Sequence, residues 1–207
     1  MISIQNLNKF FGDQALFKNF NLEIESGDFV IISGPSGCGK TTLLNMIGAI
    51  EPIESGSIRV DGVDLSDKKN QLNYFRTRVG FLFQNFALVD HKTVKDNLQM
   101  IRKDSRTNLS INDALQRVGL EDKLNSKVYT LSGGEQQRVA LARLMLKKCD
   151  LILADEPTGS LDHNNANIVL NILKDFNDQG KTIVLVTHDE EIKKQGNKVV
   201  HLCERKI

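Results

Sequence analysis

The sequence is poor in the features that staple or anchor a small protein. Its 207 residues include three cysteines, three prolines, two tyrosines and no tryptophan. Cys38, Cys149 and Cys203 are odd in number and far apart. That spacing argues against a disulfide scaffold and for a reducing compartment. Scarce proline, and no Pro/Gly/Ser-rich linker, argue against a string of hinged domains. No internal repeat breaks the chain. No apolar run approaches the ~18 residues that a membrane helix needs. The start, Met1-Ile2-Ser3-Ile4, lacks the basic segment and apolar stretch of a signal peptide. A cytoplasmic location is therefore expected, with any action on a membrane left to a separate subunit. Neither sign of charge dominates, with 27 Lys and Arg against 26 Asp and Glu. A protein that grips nucleic-acid phosphates is usually more basic, so no nucleic-acid partner is expected.

What remains is ordinary globular material, with 40% hydrophobic residues in a length that suits one large domain or two small ones. The pattern reads as a single α/β unit over residues 1–207. Ile2–Leu7 and Phe20–Ile24 alternate as half-buried strands do. Ser26-Gly27-Asp28 signals a turn. Phe29–Ile32 is a short continuous apolar run, which suits a strand covered on both faces. A helix is expected over Lys40–Ile50, and strands at Ile58–Gly62 and Val79–Phe83. Between about 85 and 147 the spacing turns helical, at Val94–Ile101, Ile111–Val118 and Val139–Leu146. Strands return at Leu151–Ala154, Thr182–Val186 and Lys198–Leu202, with a helix over Asn164–Phe176 between the first two. Gly180 is its expected cap. Strands alternating with helices imply a mostly parallel sheet with helical cover, interrupted by a helical insertion.

Two segments carry chemistry. Gly34-Pro35-Ser36-Gly37-Cys38-Gly39-Lys40-Thr41 fits the phosphate-loop pattern G-x-x-x-x-G-K-[ST], with an apolar strand before it and a helix after. Glycines let the loop curl until backbone N–H groups point at phosphate oxygens, and the helix adds its positive end. Lys40 is expected on the β- and γ-phosphates, Thr41 on Mg²⁺, and Thr42 near the α-phosphate. Cys38 is read as a small residue that fits the loop. Leu151-Ile152-Leu153-Ala154-Asp155-Glu156 is an apolar strand that ends in two acids. Ligands bind at that edge of an open parallel sheet. Asp155 is the expected outer partner of the metal that Thr41 ligates. Glu156 is placed to orient or deprotonate an attacking water.

Further motifs make the chain resemble the ABC (ATP-binding cassette) ATPases over nearly its whole length. Leu131-Ser132-Gly133-Gly134-Glu135-Gln136-Gln137-Arg138 resembles their signature sequence. Gln84 resembles the Q-loop, Ser160-Leu161-Asp162 the D-loop, and His188 the switch histidine. Phe11, in Lys9-Phe10-Phe11-Gly12, stands where the family stacks an aromatic on adenine. Segments 154–162 and 180–189 are most similar to one subgroup, which holds the ATPases of lipoprotein-releasing, macrolide-exporting and antimicrobial-peptide-exporting systems and the related cell-division ATPase.

The resemblance implies a mostly parallel core sheet with helices, an N-terminal antiparallel β subdomain and an inserted α-helical subdomain. It implies hydrolysis of ATP with Mg²⁺. Two copies would close head to tail over two ATP molecules, with Ser132, Gly133, Gly134 and Glu135 facing the partner's nucleotide and Asp162 touching its site. Glu156 would act as base, His188 would contact the γ-phosphate and water, and Gln84 would join metal and water to an integral-membrane permease. The stretch from Gln84 to Met100, with Phe86, Leu88 and Val89, is the expected docking groove, though those apolar residues equally suit local core. His91, His163 and His201 are isolated and suit surface or packing roles. Asn108-Leu109-Ser110 fits a glycosylation pattern that a cytosolic chain does not use. Asp64–Asn70 reads as a solvated loop.

Overall fold

The computed structural model describes residues 1–202, so Cys203 lies outside the described residues. Two sheets organise the chain. The first is antiparallel, in the order β2-β1-β4-β5, from β1 (Ile2–Phe11), β2 (Gln14–Ile24), β4 (Ser55–Val60) and β5 (Val63–Asp64). The second is parallel, in the order β6-β7-β8-β3-β9, from β3 (Phe29–Ser33), β6 (Val79–Leu82), β7 (Leu151–Asp155), β8 (Thr182–Val186) and β9 (Lys198–His201).

The central strands are apolar throughout because both faces of the parallel sheet are covered. Successive side chains point to opposite faces. Phe29 and Ile31, with Ile152, Ala154, Ile183 and Leu185, pack against helices α3 (Val94–Gln99), α4 (Ile111–Arg117), α5 (Gly133–Leu146) and α6 (His163–Asp178). Val30 and Ile32, with Leu151, Leu153, Val184 and Val186, pack against helix α1 (Lys40–Ile47) and the antiparallel sheet. A single run such as Phe29–Ile32 therefore feeds two cores, and helices α3, α4 and α5 lie between β6 and β7 in the chain.

Most expected elements form, with shifted ends. The first hairpin is longer than its alternating residues suggested, so Phe11 ends β1 and Gln14 opens β2. One expectation fails. Asp64–Asn70 is not a solvated loop: Asp67 accepts a hydrogen bond from the Lys69 N–H and caps helix α2 (Lys68–Thr77). The helix is so polar that its sequence hides its one anchor. Tyr74 is 1% exposed, and its hydroxyl donates to the Ile47 carbonyl at 2.7 Å. Burial pushes its phenol well above its usual range, with the nearby charge of Asp61 acting in the same direction. Tyr74→Phe strands that carbonyl, and the expected loss is about 1–2 kcal/mol of unfolding free energy, read from urea titrations. An unchanged midpoint and slope would show the bond to be dispensable.

Candidate active site

The phosphate loop starts where β3 emerges from the sheet. Gly34 has φ +149°, and a Cβ there would lie 2.2 Å from the Leu202 carbonyl oxygen, so only glycine fits. Gly39 sits at the N-cap of α1 with φ +96° and no side-chain cap. A Cβ on it would meet Leu16 and Phe17 at 2.8 Å. The first amides of α1 are left uncapped by side chains, which is what an anion site needs. The Lys40 ammonium donates to the carbonyls of Gly34 at 2.9 Å and Pro35 at 2.8 Å. Cys38 is buried, with its Sγ 3.9 Å from Lys40 Nζ.

Strand β7 brings the acids to the same edge. Thr41 Oγ1 donates to Asp155 Oδ1 at 3.2 Å, which joins the two segments that the sequence separates by more than a hundred residues. Burial raises the Asp155 carboxyl above its usual value. The Thr41 hydrogen bond opposes that rise, the Glu156 charge adds to it, and the Lys40 charge opposes it. Glu156 follows in a left-handed backbone conformation, φ +43°. Its N–H donates to the Val186 carbonyl at 3.0 Å, and its own carbonyl accepts from the Gly159 N–H at 3.2 Å. The turn aims Glu156 Oε1 at His188 Nδ1, 2.8 Å away. Gln84 Nε2 lies 3.9 Å from where a Gly159 Cβ would stand, beside the same turn.

A pocket of about 270 Å³ opens over the loop, lined by Phe11, Gln14, Leu16, Gly37, Gly39, Lys40, Thr41 and Thr42. Its walls put the expected base-stacking aromatic beside the phosphate loop. Gln14 and Leu16 were not singled out in the sequence. Their place at the start of β2, where Gln14 pairs with Phe11 across the hairpin and Leu16 follows two residues on, is the signal that would have found them.

The signature residues lie elsewhere. Ser132 caps α5, with its Oγ accepting from the Glu135 N–H at 3.3 Å and Glu135 Oε2 accepting from the Ser132 N–H at 2.8 Å. That backbone hydrogen bond leads the causes that hold the Glu135 carboxyl below its usual value. Gly134 packs so closely that a Cβ would lie 2.6 Å from Asn165. Asp162 caps α6 by accepting from the Asn165 N–H at 3.0 Å. None of these residues lines the pocket over the loop. Ser132 and Gly133 are exposed.

Among the described residues, no group of three or more His, Cys, Asp or Glu could hold a metal ion. The oxygen donors at the site are those of Thr41 and Asp155, with Gln84 beside the Glu156 turn. A hydroxyl and one carboxylate, with substrate phosphates, fit Mg²⁺, which keeps several waters and favours such sets. When bound there, the ion would neutralise charge on the β- and γ-phosphates.

A strand–loop–helix phosphate cradle joined to an acidic strand end, on a parallel sheet, defines a P-loop nucleoside triphosphatase. The chain belongs to the ABC transporter family, whose model matches residues 17–159. It is an ATP-binding, ATP-hydrolysing subunit of a transporter. It is 39% identical to the glutamine transport ATP-binding protein GlnQ of Bacillus subtilis, over all of this chain and 88% of that protein. It is 41% identical to the macrolide export ATP-binding/permease protein MacB of Campylobacter jejuni, again over all of this chain but only 33% of MacB. Among solved structures it resembles the dimeric cassette MJ0796 with a TM-score of 0.89 and 35% identity, covering 99% of this chain and 97% of that one. A post-hydrolysis dimer of the same cassette, bound to ADP and phosphate, gives a TM-score of 0.85 and 34% identity, covering 98% of this chain and 94% of that one.

Proposed function

We propose that the chain is the motor subunit of an exporter for a peptide, lipoprotein or drug-like cargo, and that it works as a head-to-tail homodimer on the inner face of the membrane beneath a permease. The observation that carries the dimer is the division of the site. Thr41 of the loop bonds Asp155 at the acidic strand end, and the next residue, Glu156, meets His188, while the exposed signature helix end offers a second anion site outside the pocket over the loop. Two copies facing each other supply both halves to each triphosphate. Lys40 and the loop amides then hold phosphate from one side, and Ser132 with the Gly133 and Gly134 amides from the other. Glu156 accepts the proton of the attacking water, His188 holds Glu156 and contacts the γ-phosphate, and Asp162 borders the partner's site. Gln84 links the metal and water to the permease. Likeness to MacB supports export. Likeness to GlnQ and to the glutamate/aspartate import protein GltL of Escherichia coli, 36% identical, keeps import as the competing direction. Similarity to the cell-division ATPase also leaves a second reading, in which the permease-like partner signals and carries no cargo.

The permease has an apolar cleft to dock in. A groove of about 310 Å³ is walled by Phe75, Phe81 and Phe83 from before Gln84 in the chain and by Met100, Ile101 and Leu144 from after it. Ala87 and Met100, within the expected stretch from Gln84 to Met100, also border this groove, while Phe86 and Leu88 are partly buried against the core, the alternative their apolar side chains equally suited. No helix among the described residues is long and apolar enough to cross a membrane. The test is capture of the permease with the tagged chain, followed by reconstitution in vesicles with the ATPase outside. ATP-dependent cargo accumulation in the lumen, absent with Glu156→Gln, is the expected result. Release of cargo from the lumen would reverse the direction. ATP turnover with no cargo movement would favour the signalling reading.

A further inference from the structure

Lys9 is a buried cation that the mechanism does not use. It stands in β1 with 3% exposure. Its ammonium lies 2.8 Å from Glu51 Oε1 and 2.5 Å from Glu54 Oε1. Glu54 also accepts the Phe10 N–H at 3.4 Å, so the carboxylate ties down the backbone next to the aromatic. Burial alone would lower the Lys9 ammonium, but the hydrogen bonds and charges of Glu51 and Glu54 more than offset it and hold it above its usual value. It stays charged. Burying a charge is costly even when it is paired, and an apolar residue in the same volume is often no less stable.

The ammonium has a third neighbour. It lies over the Phe11 ring, 5.3 Å from the centroid, within cation–π range. Lys9 and Phe11 are two apart in β1, so they share a face. The ring is 56% exposed and borders the pocket over the phosphate loop. An exposed phenylalanine would otherwise sample several rotamers, and ordering it would cost affinity each time a base bound. A cation against one face also draws electron density from the ring, which favours stacking of an electron-rich purine on the other.

We propose that Lys9, clamped by Glu51 and Glu54, is a positioning and base-affinity residue that fixes Phe11 for stacking with the nucleobase. This rests on the reading of Phe11 as the base-stacking aromatic. Lys9 does not line the pocket over the phosphate loop, so its effect falls on the base and leaves phosphate binding untouched.

The test compares ATP with tripolyphosphate, a competitor that carries the phosphate chain and no base. The triple variant Lys9→Met, Glu51→Gln, Glu54→Gln removes the cation without stranding either carboxylate. It is expected to raise the KM for ATP about fivefold, with kcat within about twofold and the inhibition constant of tripolyphosphate unchanged. Added to Phe11→Ala, it should raise KM no further, because the two act through one ring. Glu54→Gln alone loosens one anchor at a partly exposed position, and keeps the test open if the triple variant folds poorly. It should raise KM about twofold with the same base dependence. Equal weakening of ATP and tripolyphosphate would mean a general structural role and would overturn the inference. A rise with Phe11→Ala but none with the Lys9 variants would overturn it alone. No rise with Phe11→Ala would remove the stacking reading and the inference with it.

Discussion

Glu156→Gln is expected to slow ATP turnover by about 10²–10⁴-fold while leaving ATP binding intact and trapping a dimer. The substitution keeps the side chain's volume and its contact with His188, which is 2.8 Å away. It removes the ability to take a proton from water. The backbone geometry makes the residue hard to replace by a neighbour. Its φ of +43° is a conformation that non-glycine residues adopt at a cost on the order of 1 kcal/mol or more. The hydrogen bonds of its N–H to Val186 and of its carbonyl to Gly159 hold the turn there. A glutamate simply continuing the strand would point elsewhere. Neutralising it also takes one negative charge away from a pocket that holds triphosphate, which favours the closed, ATP-bound state. Phosphate release and size-exclusion chromatography at saturating ATP measure the two effects. Turnover near that of the parent would remove Glu156 from the base role. A monomer that binds ATP normally would remove the trapped sandwich.

The phosphate loop, the acidic strand end and the apolar strands were legible because each is written in adjacent residues. Phe29–Ile32 announces burial on both faces, and Gly34–Thr41 needs its glycines close together. The hidden parts depend on long-range packing. Helix α2 has little apolar pattern and forms on the Asp67 cap and the Tyr74 anchor. Whether Phe86 and Leu88 face a groove or the local core was open from sequence because Phe86 and Ala87 both adopt positive φ, +61° and +48°, which their side chains do not signal. That turn directs Phe86 and Leu88 toward the core and leaves Phe83, Met100 and Ile101 to wall the groove. Arg143, from the far end of α5, holds the turn by donating to the carbonyls of both Phe86 and Ala87. Lys9 was hidden differently. Its number stands in the same motif as Phe11, but a strand pattern cannot show that Glu51 and Glu54 return to meet it.

Lys40→Ala should abolish measurable hydrolysis, a fall of at least about 10³-fold, for a reason distinct from that of Glu156→Gln. The ammonium now donates to the carbonyls of Gly34 and Pro35, so it already sits over the mouth of the loop. With triphosphate present, it can exchange those carbonyls for phosphate oxygens without crossing the site. Among the described residues, no other lysine or arginine lines this pocket. Its loss leaves the β- and γ-phosphates with loop amides and metal alone, and the developing charge of phosphoryl transfer loses a fixed cation. The fold should survive, since Pro35 is exposed and water can serve the freed carbonyls. A melting temperature within a few degrees of the parent is therefore expected, at about 2–4 °C per kcal/mol for a chain of this size. The two variants separate at the dimer. Glu156→Gln keeps every group that holds phosphate and should close on ATP, whereas Lys40→Ala weakens one jaw of each clasp and should remain monomeric at the same ATP concentration. Hydrolysis by Lys40→Ala at the parental rate would overturn the assignment of the loop. A stable ATP-bound dimer of that variant would show that the signature side carries the closure without it.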